Sequence, residues 1–140
     1  SKILVCEARQ ADADQALQLG IAIGDTLFYS QIVHYENNVP VQIEDRFVNP
    51  ETAPDYLRQV LNKQTPYTYL MDIAPLTAGE HRVEAISASD EQRHLLQLEE
   101  HEPCLLIHRR TWSGSRVVTS ARLIYPGSRY QLFGRFTSHG

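Results

Sequence analysis

The sequence predicts an α+β domain, a mainly antiparallel sheet with helices packed on one side. Three observations carry this. Strand-type alternation recurs in pairs separated by turns too short for a parallel crossover. Helix-start signals fall between those pairs. With 42% hydrophobic residues in 140, the chain is one ordinary domain, able to bury roughly 68% of the surface it exposes unfolded without staples.

The elements follow in order. Residues Ile3 to Ala8 read as a strand, and Asp12 to Gly20 as a short helix, with an acidic start, Ala13, Ala16 and Leu17 on one face and a terminal glycine. From Thr26 to Tyr35 and again from Val39 to Val48 the texture is that of a hairpin, broken at Glu36-Asn37-Asn38. Asn49-Pro50 stops the second strand. Helical spacing appears in Pro54 to Leu61, and again from about Pro66 through Tyr67, Leu70 and Met71. His81 to Ser87 is strand-like, and Ser89-Asp90-Glu91-Gln92 is a capping box that opens a helix through Leu98. Cys104 to Trp112 and Arg116 to Tyr125 form a second hairpin around Ser113-Gly114-Ser115, and a last extended piece is expected around Tyr130 to Phe136.

Composition excludes several functions. A net charge of -4 has the wrong sign for a domain that embraces nucleic acid, which needs clustered Lys and Arg. Lysine is nearly absent (Lys2 and Lys63) while arginine recurs, so most positive charges are rigid forks suited to a carboxylate or phosphate. No apolar run could span a membrane and no basic-then-apolar leader opens the chain; a cytoplasmic location is expected. Cys6 and Cys104 sit in separate apolar runs and read as small buried thiols in a reducing compartment. The only methionine is Met71, so Ser1 is not a translation start and a fragment of a longer protein is expected.

Six histidines, His34, His81, His94, His101, His108 and His139, are scattered without metal-ligand spacing. There is no nucleophile elbow, phosphate loop or dinucleotide fingerprint. No enzyme, metal or cofactor is expected. Binding chemistry is more promising. Gln42, Glu44 and Arg46 share one face of their strand, as do Ile32 and His34 on the preceding one. If His34, Glu44 and Arg46 point into one pocket, they supply a hydrogen-bonding ring, an acceptor and a carboxylate fork; the same pattern also suits a solvated face with an exposed ion pair. Thr119, Ala121, Leu123 and Tyr125 likewise share a face, and Tyr125 could cap a pocket or fill the core. Arg109, on an otherwise apolar strand, needs a partner, for which Glu44 and Glu84 are candidates. Tyr67 and Tyr69, at a helix start, combine ring surface with hydroxyl handles, or are simply core.

The chain resembles the effector-binding, or UTRA, domain of GntR-type bacterial transcription regulators. The resemblance rests on Gly24-Asp25 before a strand, Tyr35-Glu36-Asn37-Asn38-Val39-Pro40 followed by Glu44, the Tyr67 to Leu70 helix, Glu84-Ala85 before a helix, Arg109 to Trp112, and the closing Tyr125-Pro126-Gly127-Ser128-Arg129-Tyr130. It implies a chorismate-lyase-like sheet with flanking helices, an upstream winged helix-turn-helix that alone contacts DNA, and a homodimer. A chorismate-lyase-type enzyme is the lesser alternative. Residues Ile43 to Pro50 and the closing motif are most similar to the branch of the family that represses histidine-utilisation genes, which implies urocanate as effector. Sugar-phosphate members carry an Arg-x-Arg pair where this chain has Ile32-Val33-His34, and a later acidic residue where it has Thr119; Glu44 and Tyr125 match pocket positions. A planar, monoanionic imidazole acid suits what remains, with Arg46 on its carboxylate, Glu44 or His34 on its ring nitrogens and Tyr67 or Tyr125 stacking. Histidine or a sugar phosphate are the competing effectors. The effector-binding set is therefore His34, Glu44, Arg46, Tyr67, Tyr69, His81, Arg109, Thr119 and Tyr125. The closing piece from Tyr130 to Phe136 is the expected dimer element, as an exposed sheet edge.

Overall fold

Asparagine is among the few residues that tolerate a left-handed backbone, and Asn37 and Asn38 both adopt it (φ 52° and 66°) to turn strand β2 (Thr26–Glu36) back into β3 (Val39–Val48). The computed structural model describes residues 1–62 and 65–138, so that Lys63 and His139 lie outside the described residues. Around the hairpin stand β1 (Lys2–Gln10), α1 (Ala13–Leu19), α2 (Tyr56–Leu61), α3 (Pro66–Ile73), β4 (Ala78–Ser87), α4 (Asp90–Leu96), β5 (Pro103–Ser113) and β6 (Arg116–Pro126). The predicted capping box is present on α4, where Ser89 Oγ accepts from Gln92 N and the Gln92 side chain accepts from Ser89 N. Asp12 and Gln15 make a second one on α1, which ends on Gly20 at φ 67°.

The six strands form one antiparallel sheet in the order β1-β2-β3-β6-β5-β4. Register places Ser30, Arg46, Ala121, Arg109 and His81 in one row across five strands, with Ile32, Glu44, Leu123, Ile107 and Val83 in the next row on the same face. Helices α2 and α3 cover that face, packing Tyr56, Val60, Tyr69 and Leu70 on Ile32 and Val48.

The expectation of helices on one side is corrected here. α1 packs Ala16 and Leu19 against Leu27 and Tyr29, and α4 packs Leu96 against Val33, Ile43, Leu106 and Ile124, all on the opposite face. The reason lies in adjacent apolar pairs. Ile32-Val33, Leu106-Ile107 and Leu123-Ile124 are buried at both positions, and because neighbours on a strand point to opposite faces, both faces need cover.

A second correction concerns the C-terminus. Residues 127–138 form no strand. β6 already lies between β3 and β5, so the chain that follows it finds no free edge beside it; the open edges are β1 and β4. Gly127 instead brings its N–H 2.8 Å from the Pro103 carbonyl, where a Cβ would also meet that oxygen at 2.8 Å. Arg129 then donates to the carbonyls of Pro40, Leu96 and Gln97, and Tyr130 stacks on Tyr125 with ring centroids 3.8 Å apart. Beyond it Leu132, Phe133 and Phe136 are exposed. Both cysteines are free thiols; Cys104 is buried, whereas Cys6 is only partly so.

Candidate functional site

A cavity of about 470 Å³ opens between α3 and the sheet face that bears Glu44 and Arg46. Seven of the nine predicted site residues line it: His34, Glu44, Arg46, Tyr67, His81, Arg109 and Thr119. Leu70, Met71, Ala74, Leu76, Val118 and Leu123 supply an apolar wall. Val118 reaches this side because the β5/β6 register shifts between Thr111 and Trp112, so that Thr111 faces Thr119 while Trp112 faces Val117.

The floor is an ion-paired network. Arg46 Nε donates to Glu44 Oε2 at 3.1 Å, and Nη1 donates to Thr119 Oγ1 at 3.3 Å. His34 Nε2 lies 3.0 Å from Glu44 Oε1. Burial by itself would raise the Glu44 pKa, but the Arg46 charge and the hydrogen bonds from His34 and Arg46 outweigh it and hold the carboxyl at about 2. An ionised Glu44 only accepts, so His34 Nε2 is the donor, and in the neutral ring Nδ1 accepts from Ser1 Oγ at 2.9 Å. The chain thus resolves the two arrangements open in the sequence: Glu44 and Arg46 are 5% and 8% exposed, an interior pair rather than a solvated strand face. Arg46 has five N–H donors, of which two are used by Glu44 and Thr119 among the described residues.

Arg109 takes a partner other than those expected. Its Nε donates to His81 Nε2 at 2.8 Å. Glu44 is already held by Arg46 and His34, and Glu84, one residue out of phase with the His81–Arg109 row, lies on the other face and pairs with His108. Burial, and then the Arg109 charge, lower the His81 pKa, which keeps that imidazole neutral. Imidazoles aside, Arg46 and Arg109 against Glu44 leave the lining with one positive charge.

Two predicted residues stand outside the cavity. Tyr69 is packed in the α2–α3 core, its hydroxyl accepting from Asp55 N at 3.2 Å; two residues from Tyr67 on a helix, it must point to a different side. Tyr125 reaches the site only through Gln42, whose Nε2 donates to its hydroxyl at 2.6 Å. Gln42 itself lines the cavity and was legible as a face-mate of Glu44 and Arg46. Met71, Thr111 and Trp112 also line it; nothing in their local sequence marks them, because the α3 docking angle and the β5/β6 register shift put them there.

Among the described residues, no group of three or more His, Cys, Asp or Glu could hold a metal ion, and no helix is long and apolar enough to cross a membrane.

An antiparallel sheet with helices on both faces and one amphiphilic cavity defines a class of small α+β domains. The family model described as the UTRA domain matches residues 1–131, and the chain belongs to the UTRA family. It is 57% identical over 136 residues to the histidine utilization repressor of Pseudomonas putida, covering 97% of this chain and 55% of that protein. To the histidine utilization repressor of Klebsiella aerogenes it is 54% identical over 137 residues, covering 98% and 57%. The chain therefore spans about half the length of the curated relatives it matches. The crystal structure of the C-terminal domain of histidine utilization repressor from Pseudomonas syringae pv. tomato superposes with a TM-score of 0.91 at 57% identity, covering 98% of this chain and 97% of that one. A GntR-family transcriptional regulator from Bacillus cereus, 18% identical, shares the fold with a TM-score of 0.84 over 97% and 96% of the two chains.

Proposed function

We propose that the chain is the effector-binding, dimerising domain of a cytoplasmic repressor of histidine-utilisation genes, and that its effector is urocanate. The observation that carries this reading is the buried Glu44–Arg46–His34 network on the floor of a largely apolar cavity. Urocanate is a planar monoanion with an imidazole ring. Its carboxylate meets the free N–H donors of Arg46, its ring nitrogens meet Glu44 or His34, and Tyr67 at the mouth stacks on it. Tyr125 acts at one remove, by fixing Gln42. The single net positive charge of the lining favours a monoanion over the dianion of a sugar phosphate. The curated relatives are named as repressors, not enzymes.

The regulatory step is a choice between two placements of an upstream winged helix-turn-helix pair in a homodimer, which alone contacts DNA. Urocanate shifts that balance only by its differential affinity for the two placements. The exposed Leu132, Phe133 and Phe136 support a self-association surface in the C-terminal segment, now as an irregular arm rather than a sheet edge.

Thermal unfolding of the chain with urocanate, histidine and N-acetylglucosamine 6-phosphate tests the effector. A ligand at 100 times its dissociation constant adds about 2.7 kcal/mol, several degrees in midpoint for a domain of this size. A shift with urocanate and none with the sugar phosphate is the expected result. A shift with the sugar phosphate alone would overturn the reading, and one with histidine alone would reassign the effector.

A further inference from the structure

The sheet face opposite the effector cavity holds a second, smaller cavity of about 190 Å³, set between α1 and the strands β4, β5 and β6. We propose that it is a binding site for a small oxyanion, of the phosphate or dicarboxylate type. The inference goes beyond the effector reading and uses none of the Glu44–Arg46–His34 network.

The charge of this cavity is opposite to that of the chain. Arg82, Arg110 and Arg122 line it against Asp14 and Glu80, a balance of one positive charge in a protein whose net charge is -4; Arg109 also borders it, but its side chain is turned to His81 on the other face. Register makes the cluster a designed row rather than a scatter. Arg82 and Arg122 flank His108 as its cross-strand partners on β4 and β6, two strands and so about 10 Å apart, a span that one oxyanion can bridge.

Neither neighbouring acid pairs directly with Arg82 or Arg122. His108 is held by Glu84 at 3.0 Å. Asp45, the partner of Arg122 on β3, spends Oδ1 on the Tyr29 hydroxyl and the Gln31 amide. Arg82 and Arg122 make no ion pair or side-chain hydrogen bond among the described residues. Arg110 sits over the Trp112 ring at 4.7 Å, and the nearest Glu80 oxygen is 3.7 Å from its Nε, beyond hydrogen-bond reach. That Nε is the one buried side-chain polar atom without a partner among the described residues. Guanidinium forks that line one cavity with unspent donors are complementary to an oxyanion. Gln15, Gln18 and Ser120 add neutral polar groups around it, and the volume admits a phosphate group or a short diacid but not a nucleotide.

The test titrates the chain with inorganic phosphate, glycerol phosphate and succinate, each against chloride at equal ionic strength, by calorimetry and thermal midpoint. At least one of the three is expected to bind saturably, and the one that does names the source of the oxyanion. In the double variant Arg82→Gln/Arg122→Gln that affinity falls by about tenfold or more, as loss of charge-assisted bonds requires, while the response to urocanate is unchanged. Both side chains are exposed, so the fold tolerates them; should the double variant unfold, each single variant gives the same reading at smaller amplitude. No saturation beyond chloride with any of the three, or equal affinity in parent and variants, overturns the proposal. Arg109 is left intact because its side chain belongs to the effector cavity, where it holds His81. A urocanate response without an oxyanion response therefore fails this site alone, and the converse fails the effector reading alone.

Discussion

Replacing Arg46 by alanine is expected to abolish urocanate binding and to destabilise the fold. The binding loss follows from two charge-assisted hydrogen bonds of about 1.5–3 kcal/mol each, together more than a hundredfold in affinity. The stability loss has a different origin. Glu44 is buried beside Arg46, with Oε2 3.1 Å from Nε; without the guanidinium it is a buried anion with only His34 beside it, a change worth about 3–5 kcal/mol. The pair substitution Glu44→Gln/Arg46→Met separates the two effects, since it removes both charges while keeping similar volume. Urea unfolding is expected to recover most of the lost stability in the pair variant, whereas calorimetry still finds no urocanate binding. Recovery of binding in the pair variant would contradict the role of Arg46.

Acid sensitivity is the second large effect, and it traces to the same carboxylate. Glu44 titrates at about 2 in the folded chain against an ordinary value of 4.5. A folded pKa below the unfolded one means that the unfolded chain binds the proton more readily. The contribution is therefore fully present above pH 4.5 and is lost as pH falls from there towards 2. A fall of that size on folding is worth about 3 kcal/mol at neutral pH. Urea unfolding between pH 2 and pH 6 is expected to show a steep loss of stability in the parent chain. The slope is expected to flatten in Glu44→Gln, which keeps the side-chain shape but does not titrate. Parallel pH profiles for the two proteins would show that Glu44 is not held by this network.

How much of this was legible in the sequence depends on which interactions are local. The capping box at Ser89 to Gln92, the Asn37-Asn38 turn and the alternation through Gln42, Glu44 and Arg46 are encoded within a few residues, and the structure follows them. The face-sharing of His34 with Glu44 and Arg46 needed only strand parity and a hairpin. What parity could not supply was the count of covered faces. The paired apolar residues Ile32-Val33, Leu106-Ile107 and Leu123-Ile124 carried that signal, but they read equally as strands of high β-propensity. The Arg109 partner was misplaced for a related reason. His81 and Arg109 come together through the β4/β5 register, set by a pairing 28 residues apart in sequence, and Glu84 was a candidate only while the phase of β4 was unknown. Tyr69 was excluded by helix geometry that the sequence does state, since positions two apart on a helix diverge. The C-terminal arm is the reverse case: Leu132, Phe133 and Phe136 have strand composition but no edge to join, because strand order is a property of the whole sheet.

The resemblance to UTRA domains fixed the family, and the 57% identity to the histidine utilization repressor of Pseudomonas putida narrows the relatives. The choice of effector rests on a smaller set of atoms: the two Glu44 oxygens, the Arg46 guanidinium and the imidazole of His34. The most direct test of that choice is calorimetric titration of urocanate into the chain at neutral pH. The account predicts saturable binding of one urocanate per chain. Absence of binding, or binding at full strength in the Glu44→Gln/Arg46→Met variant, would contradict it.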